Sequence, residues 1–137
     1  MPTASSELLV VDASVVISVL IDPSPVADAI GRRVGAATLL APAVLPFEVA
    51  NVLRRRRNAR LLSPTEASLA LDGFGELSIE LWPWETVATR VWQLGGNLSS
   101  YDASYVALAE QTGAILLTRD RRMLGAPGIR CTIDVVE

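Results

Sequence analysis

Four carboxylates carry most of the chemistry that this 137-residue sequence can offer. Asp12 directly follows the apolar run Leu8-Leu9-Val10-Val11, and Asp120 follows the apolar stretch from Ala114 to Thr118. Asp102 is the third residue after Ser99, and Glu48 shares a helical stripe with Leu45, Val49 and Val52. Each acid also has a plain structural reading. An Asp at a strand-to-helix junction is often only an N-cap. Ser99 with Asp102 reads as a capping box, at a helix start that favours negative charge by about 0.3–1 kcal/mol. Glu48 fits less easily, because a carboxylate in an apolar stripe is costly unless it is paired or bound to a metal. Taken together, the four suggest more than caps. Like charges about 4 Å apart repel by about 4 kcal/mol at an effective dielectric of about 20, so a fold that gathers them is expected to hold a divalent cation. Ligands that are all oxygen suit Mg2+, with Mn2+ as a substitute, rather than zinc.

The absences narrow the chemistry further. The chain has no histidine and no lysine, so its twelve basic residues are all arginine. That excludes a histidine general base, a Ser-His-Asp triad, Schiff-base chemistry and His-ligated zinc. It also excludes the lysines of P-loop enzymes and kinases. Cys131 is the only cysteine; it cannot form an internal disulfide and is expected to be buried and reduced. Net charge is −3 with an isoelectric point of about 5.0, which does not announce a nucleic-acid binder. The charge is uneven, however: Arg54, Arg55, Arg56, Arg57 and Arg60 form one basic block, and Arg119, Arg121 and Arg122 another.

The elements that must position these residues alternate between strand and helix. Strands are expected at Leu8–Val11, Thr38–Ala41, Ile79–Trp82 and Ala114–Thr118, with a closing edge strand over Arg130–Val136. Helices are expected over Ser14–Leu20, Val26–Val34 and about Pro46–Ala59, where Pro42 and Pro46 fall before or inside the first turn. Ser63-Pro64-Thr65-Glu66 opens a further helix, with Gly73 and Gly75 fraying its end. Glu85–Leu94 is the next helix. Ser99 starts one that runs to Thr112, capped by Gly113, and Arg119–Leu124 makes a short helical turn. This order predicts an α/β fold, a single domain over 1–137 with a mainly parallel sheet and helices on both faces. Ligands in such folds gather at the carboxyl ends of the strands, which is where the three Asp residues fall. No stretch is long and apolar enough for a membrane span, and Met1 to Glu7 lacks a basic region of the signal-peptide kind, so a cytoplasmic location is expected. Hydrophobic residues make up 50% of the chain and mean hydropathy is +0.37, so some apolar surface is expected to lie at an interface.

The segments Leu9-Val10-Val11-Asp12-Ala13-Ser14, Phe47-Glu48-Val49-Ala50-Asn51-Val52-Leu53, Tyr101 to Ala109 and Leu117-Thr118-Arg119-Asp120 resemble, in order and spacing, the PIN domain. Among its members they look most like the VapC-type toxin nucleases of bacterial toxin–antitoxin pairs, and the resemblance runs from Leu8 to Val135. It implies Mg2+-dependent cleavage of RNA, homodimerisation and inhibition by a small antitoxin. On this reading Asp12, Glu48, Asp102 and Asp120 are the metal ligands, directly or through water, with Asp120 the one placed to act from behind the others. Ser14, Asn51 and Thr118 are candidates to orient carboxylates or water. Arg54, Arg55, Arg56 and Arg57 could contact RNA phosphates or an acidic antitoxin segment, although cations at a helix C-terminus also simply complement its dipole. Trp82, Trp84 and Trp92 could stack on bases, or pack in the core or a dimer interface. Two rivals stay open: a non-catalytic module that uses the acidic rim to dock a partner, and a DNA-directed nuclease with the same site. A phosphatase working through an aspartyl phosphate fits less well, since Asp12-Ala13-Ser14 lacks a second Asp.

Overall fold

The computed structural model describes residues 6–137; the expectation about the chain start falls largely on residues 1–5, outside that range. Five strands form one sheet: β1 (Leu8–Val11), β2 (Thr38–Pro42), β3 (Ile79–Trp82), β4 (Ile115–Thr118) and β5 (Ile133–Val135). Their order is β3-β2-β1-β4-β5 and every neighbouring pair is parallel. Central β1 reads as an unbroken apolar run because both its faces are covered: Leu9, Val10 and Val11 are buried.

Six helices connect the strands: α1 (Ala13–Ile21), α2 (Pro25–Gly35), α3 (Leu45–Asn58), α4 (Pro64–Glu76), α5 (Trp84–Gln93) and α6 (Ser100–Thr112). From β1 through β2 to β3 the chain builds outward in one direction, and α1 packs against α2, α3 and α4. It then crosses back to place β4 on the other side of β1, through α5 and α6, which pack together. Right-handed crossovers in opposite directions put the two helix groups on opposite faces. The strand order therefore reverses between β1 and β4, and a crevice opens beyond the carboxyl ends of those two strands. Asp12 stands one residue past β1, and Thr118 is the last residue of β4.

Helix α6 is buried all round from Ala103 to Ala109, as expected for a helix lacking a polar face over that stretch. Gly113 ends it at φ 73, a left-handed position that favours glycine. Most boundaries differ from expectation by one or two residues, and two differ by more. Helix α4 does not fray at Gly73 but runs to Glu76, and a side chain at Gly73 would meet Leu20 Cδ2 at 3.3 Å, so this glycine lets α1 and α4 approach. Strand β5 covers only Ile133–Val135, three residues paired with β4. Among the described residues no single helix is long and apolar enough to cross a membrane.

Candidate active site

Asp12 is the centre of a hydrogen-bond knot that ties the two strands at the switch point. It caps α1, taking the Val15 N–H on Oδ1 at 3.2 Å, and the same oxygen accepts from Ser14 Oγ at 2.6 Å. Thr118, fully buried at the end of β4, donates its hydroxyl to Asp12 Oδ2 and accepts the Asp120 N–H at 3.0 Å. Ser14 Oγ in turn accepts the Arg119 N–H at 2.9 Å. Cap and charged site are therefore not alternatives at Asp12. The residue caps α1 and also presents a half-buried carboxylate to the crevice.

Glu48 reaches the same rim from α3. Leu45, Val49 and Leu53 form the buried stripe of that helix, and Glu48 lies half-buried beside it. Its Oε1 accepts from the Tyr105 hydroxyl at 2.7 Å, a bond from α6 to α3 that joins the two helix groups across the sheet edge. Tyr105 was not foreseen as a site residue. The available signal was its place three residues after Asp102 on an inward helix face, since a buried Tyr hydroxyl usually finds a partner. The Ser99 hydroxyl accepts the Asp102 N–H at 3.1 Å, but the reciprocal half of a capping box is missing: among the described residues the Asp102 carboxylate accepts no hydrogen bond. Asp102 thus contributes a charge that the helix end does not consume.

Asp120 is placed differently. Arg122 grips its carboxylate, with Nη2 to Oδ2 at 2.6 Å and the Arg122 N–H to Oδ1 at 3.0 Å, so it caps the short 3-10 turn Arg121–Gly125. Asn51 is exposed and faces the same open cavity as Glu48.

Burial pushes the Asp12 carboxyl above its ordinary range, against the Ser14, Thr118 and Val15 donors that pull it down, and the Asp120 charge adds to the rise. Burial also raises Glu48, which the Tyr105 hydroxyl opposes and the charges of Asp102 and Asp12 reinforce. Tyr105, raised by its own burial, stays a phenol and a donor. The Arg122 bond instead holds Asp120 below the usual carboxylate range. The sign for stability follows. Asp12 and Glu48 bind protons more tightly in the folded chain than in the unfolded one, so stability falls as pH rises from their ordinary range through their raised folded values. Acids held low, such as Asp120 and Asp22, lose their contribution only at more acidic pH. The metal-free protein is therefore expected to melt at a lower temperature at neutral pH than in mildly acidic solution, and Asp12→Asn should flatten that slope. Stability that is flat or rising over the interval in wild type would contradict the raised pair.

By chemistry these groups suit a hard cation: they are oxygen donors, and Glu48 feels the charges of both Asp12 and Asp102. They do not already converge as a chelate. Among the described residues no three acidic side chains are arranged closely enough to hold an ion as they stand, because Asp12 turns to Ser14 and Thr118, Glu48 to Tyr105 and Asp120 to Arg122.

Two open cavities flank the acids. One of about 610 Å3 is lined by Glu48, Asn51, Phe47, Tyr101 and Arg55. The other, about 540 Å3, lies between α1 and α3 and is lined by Ser14, Ser18, Asp22, Arg55, Arg56 and Arg119. The arginine block thus does not act as one patch: Arg54 and Arg57 turn to a third cavity, with Ala67, Ser68 and Leu71 of α4. Arg119 bridges α1, donating to Ser18 Oγ and Asp22 Oδ2, both at 2.9 Å. Of the tryptophans, Trp92 is 85% exposed and so is no core residue, while Trp82 and Trp84 line an apolar hollow with Tyr101. Cys131 is half-buried rather than buried.

The chain is similar to known proteins along nearly its whole length. A PIN domain profile matches residues 9–128. Ribonuclease VapC9 of Mycobacterium tuberculosis is 35% identical over 130 residues, covering 94% of this chain and 98% of that protein. Ribonuclease VapC12 of the same organism is 31% identical over 129 residues, covering 94% and 99%. Among solved structures, PAE2754 from Pyrobaculum aerophilum superposes with a TM-score of 0.65 at 25% identity, covering 94% of this chain and 84% of that one. FitAcB from Neisseria gonorrhoeae shares the fold, with a TM-score of 0.66 at 17% identity over 91% and 95% of the two chains.

Proposed function

This chain belongs to the PIN-domain family and is related along nearly its whole length to VapC ribonucleases, and from that premise we propose that it is a Mg2+-dependent endoribonuclease toxin held inactive by a cognate antitoxin. The observation that supports the reading is the set of carboxylates around the strand-order switch: burial raises Asp12 and Glu48, the Asp120 charge adds to the rise at Asp12, and the charges of Asp102 and Asp12 add to the rise at Glu48. In an ordinary surface crevice those charges would be solvated and apart.

Asp12, Glu48 and Asp102 would hold the ion, and Asp120, tied to Arg122, would act from behind Asp12 through its charge and through Thr118. When bound, a divalent ion lowers the pKa of water and neutralises charge on the phosphodiester in the transition state. The remaining work falls to the chain. Ser14 and Thr118 anchor the Asp12 carboxylate and Tyr105 anchors Glu48, so that only a small turn of each carboxylate would bring them onto an ion. Asn51 borders the cavity beside Glu48 and can position water there. With no histidine or lysine to act as a side-chain acid, the leaving 3′ oxygen would take its proton from water. The whole chain acts as one nuclease domain in the cytoplasm. Its exposed Trp92, Trp84, Leu61 and Leu69 supply apolar surface for a homodimer and for the antitoxin.

The test is cleavage of a single-stranded RNA by the purified chain stripped of metal. Mg2+ or Mn2+ should restore turnover, EDTA should abolish it, and the equivalent DNA should remain intact. Undiminished cleavage in EDTA would overturn the metal mechanism. Metal binding without turnover would favour a docking module, and cleavage of DNA in preference to RNA would favour the DNA-directed reading.

A further inference from the structure

The split of the arginine block assigns its members different work. Along α3, Glu48, Asn51, Val52 and Arg55 recur at three- and four-residue spacing and so share one face. Helical side chains lean toward the N-terminus, which brings the Arg55 guanidinium back over the turn next to Glu48. Arg55 accordingly borders both cavities that flank the acids, and Arg56 borders the one between α1 and α3. Arg119 and Asp22 on the far wall of that cleft neutralise each other at 2.9 Å. Arg55 and Arg56 make no ion pair among the described residues, so the cleft carries their uncompensated positive charge directly beside a crevice of carboxylates. A polyanion crossing the acidic crevice needs cationic support alongside it, and planar guanidinium groups match phosphate oxygens in bidentate fashion. Arg54 and Arg57 point their charge toward α4, away from the crevice.

Resting on the ribonuclease reading, we propose that Arg55 and Arg56 hold a backbone phosphate of the RNA strand flanking the scissile one, in the cleft between α1 and α3, and that Arg54 and Arg57 do not touch the RNA. The occupant is a nucleic-acid phosphate rather than an acidic peptide because the cleft runs directly into the hydrolytic crevice through Arg55, and a strand threaded through one must pass the other.

The test uses four single substitutions, Arg54→Gln, Arg55→Gln, Arg56→Gln and Arg57→Gln, each on the full chain carrying Asp12→Asn to prevent turnover. Binding of a single-stranded RNA oligonucleotide is measured against salt concentration. Each lost phosphate contact on a single strand should reduce the slope of log K against log salt by about 0.7. Arg55→Gln and Arg56→Gln should show that reduction for all sequences alike, while Arg54→Gln and Arg57→Gln should keep the parent slope. Four equal reductions, or a reduction confined to Arg54 and Arg57, would overturn the assignment. So would an unchanged RNA slope in Arg55→Gln combined with weakened binding of an acidic peptide, which would give the cleft to a protein partner. A parent protein that binds no RNA at all would instead overturn the ribonuclease reading itself.

Discussion

Replacing Asp12 with Asn is expected to lower RNA cleavage by orders of magnitude while leaving the metal-free protein as heat-stable as wild type, or more so. Asn caps a helix about as well as Asp, so the Val15 N–H keeps its acceptor. The new amide can donate to Thr118 Oγ1, which has a lone pair left after accepting the Asp120 N–H. What disappears is the charge. Burial and the Asp120 charge make that charge costly in the folded chain, so its removal relieves strain that the fold otherwise carries at neutral pH. A ligand that binds only the folded state raises its stability, and the gain in melting temperature on adding Mg2+ should therefore shrink in the variant. The measurement is a pair of melting curves, with and without Mg2+, beside a cleavage assay. A variant that still cleaves RNA and still gains normal stability from Mg2+ would reduce Asp12 to a cap.

The sequence made some of this plain and concealed the rest, for physical reasons. Apolar runs ending at Asp12 and Asp120 identify buried parallel strands, because a strand covered on both faces has no polar alternation and must stop where the sheet edge meets water. Strand order was not legible. Nothing in the composition of β4 says that it lies against β1 rather than beyond β3, and only that reversal brings Asp120, just past β4, to the same end of the sheet beside Asp12, just past β1. Local readings also competed where the chain uses one residue twice. The Ser99–Asp102 spacing fits a capping box, yet only the Ser99 half forms, while the Asp102 charge acts on Glu48. Tyr105 escaped notice because its partner Glu48 is 57 residues away in sequence, and its hydroxyl becomes a site group only through packing of α6 under the sheet rim. The arginine block misled in the opposite way: four consecutive charges look like one patch, but 100° per residue around α3 divides them between two surfaces.

The second large effect is expected at Thr118, whose hydroxyl links β4 to the Asp12 carboxylate. Thr118→Val keeps the shape of this fully buried side chain but removes its donor and acceptor together. Asp12 then loses a donor to its Oδ2, and the Asp120 N–H loses its acceptor. Leaving such buried groups unsatisfied costs about 1–3 kcal/mol each, so the variant should melt several degrees lower. Function should suffer in a way that simple destabilisation does not produce. Without the Thr118 hydroxyl, the opposition to burial weakens and the Asp12 carboxyl rises further, so cleavage should need higher pH and more Mg2+ than wild type requires. Asp120, freed from its backbone tie, should hold its position less well behind Asp12. Thr118→Ser retains the hydroxyl and loses only a methyl group; it should restore the wild-type pH and Mg2+ profiles while remaining less stable through the small cavity it leaves. The discriminating measurement is cleavage rate against pH and Mg2+ for wild type, Thr118→Val and Thr118→Ser, at a temperature where all three are folded. If Val and Ser variants share one profile, Thr118 contributes only packing at the end of β4. If the Val profile alone shifts to higher pH and metal, the hydroxyl at the strand-order switch is what keeps Asp12 ionised and ready for a cation.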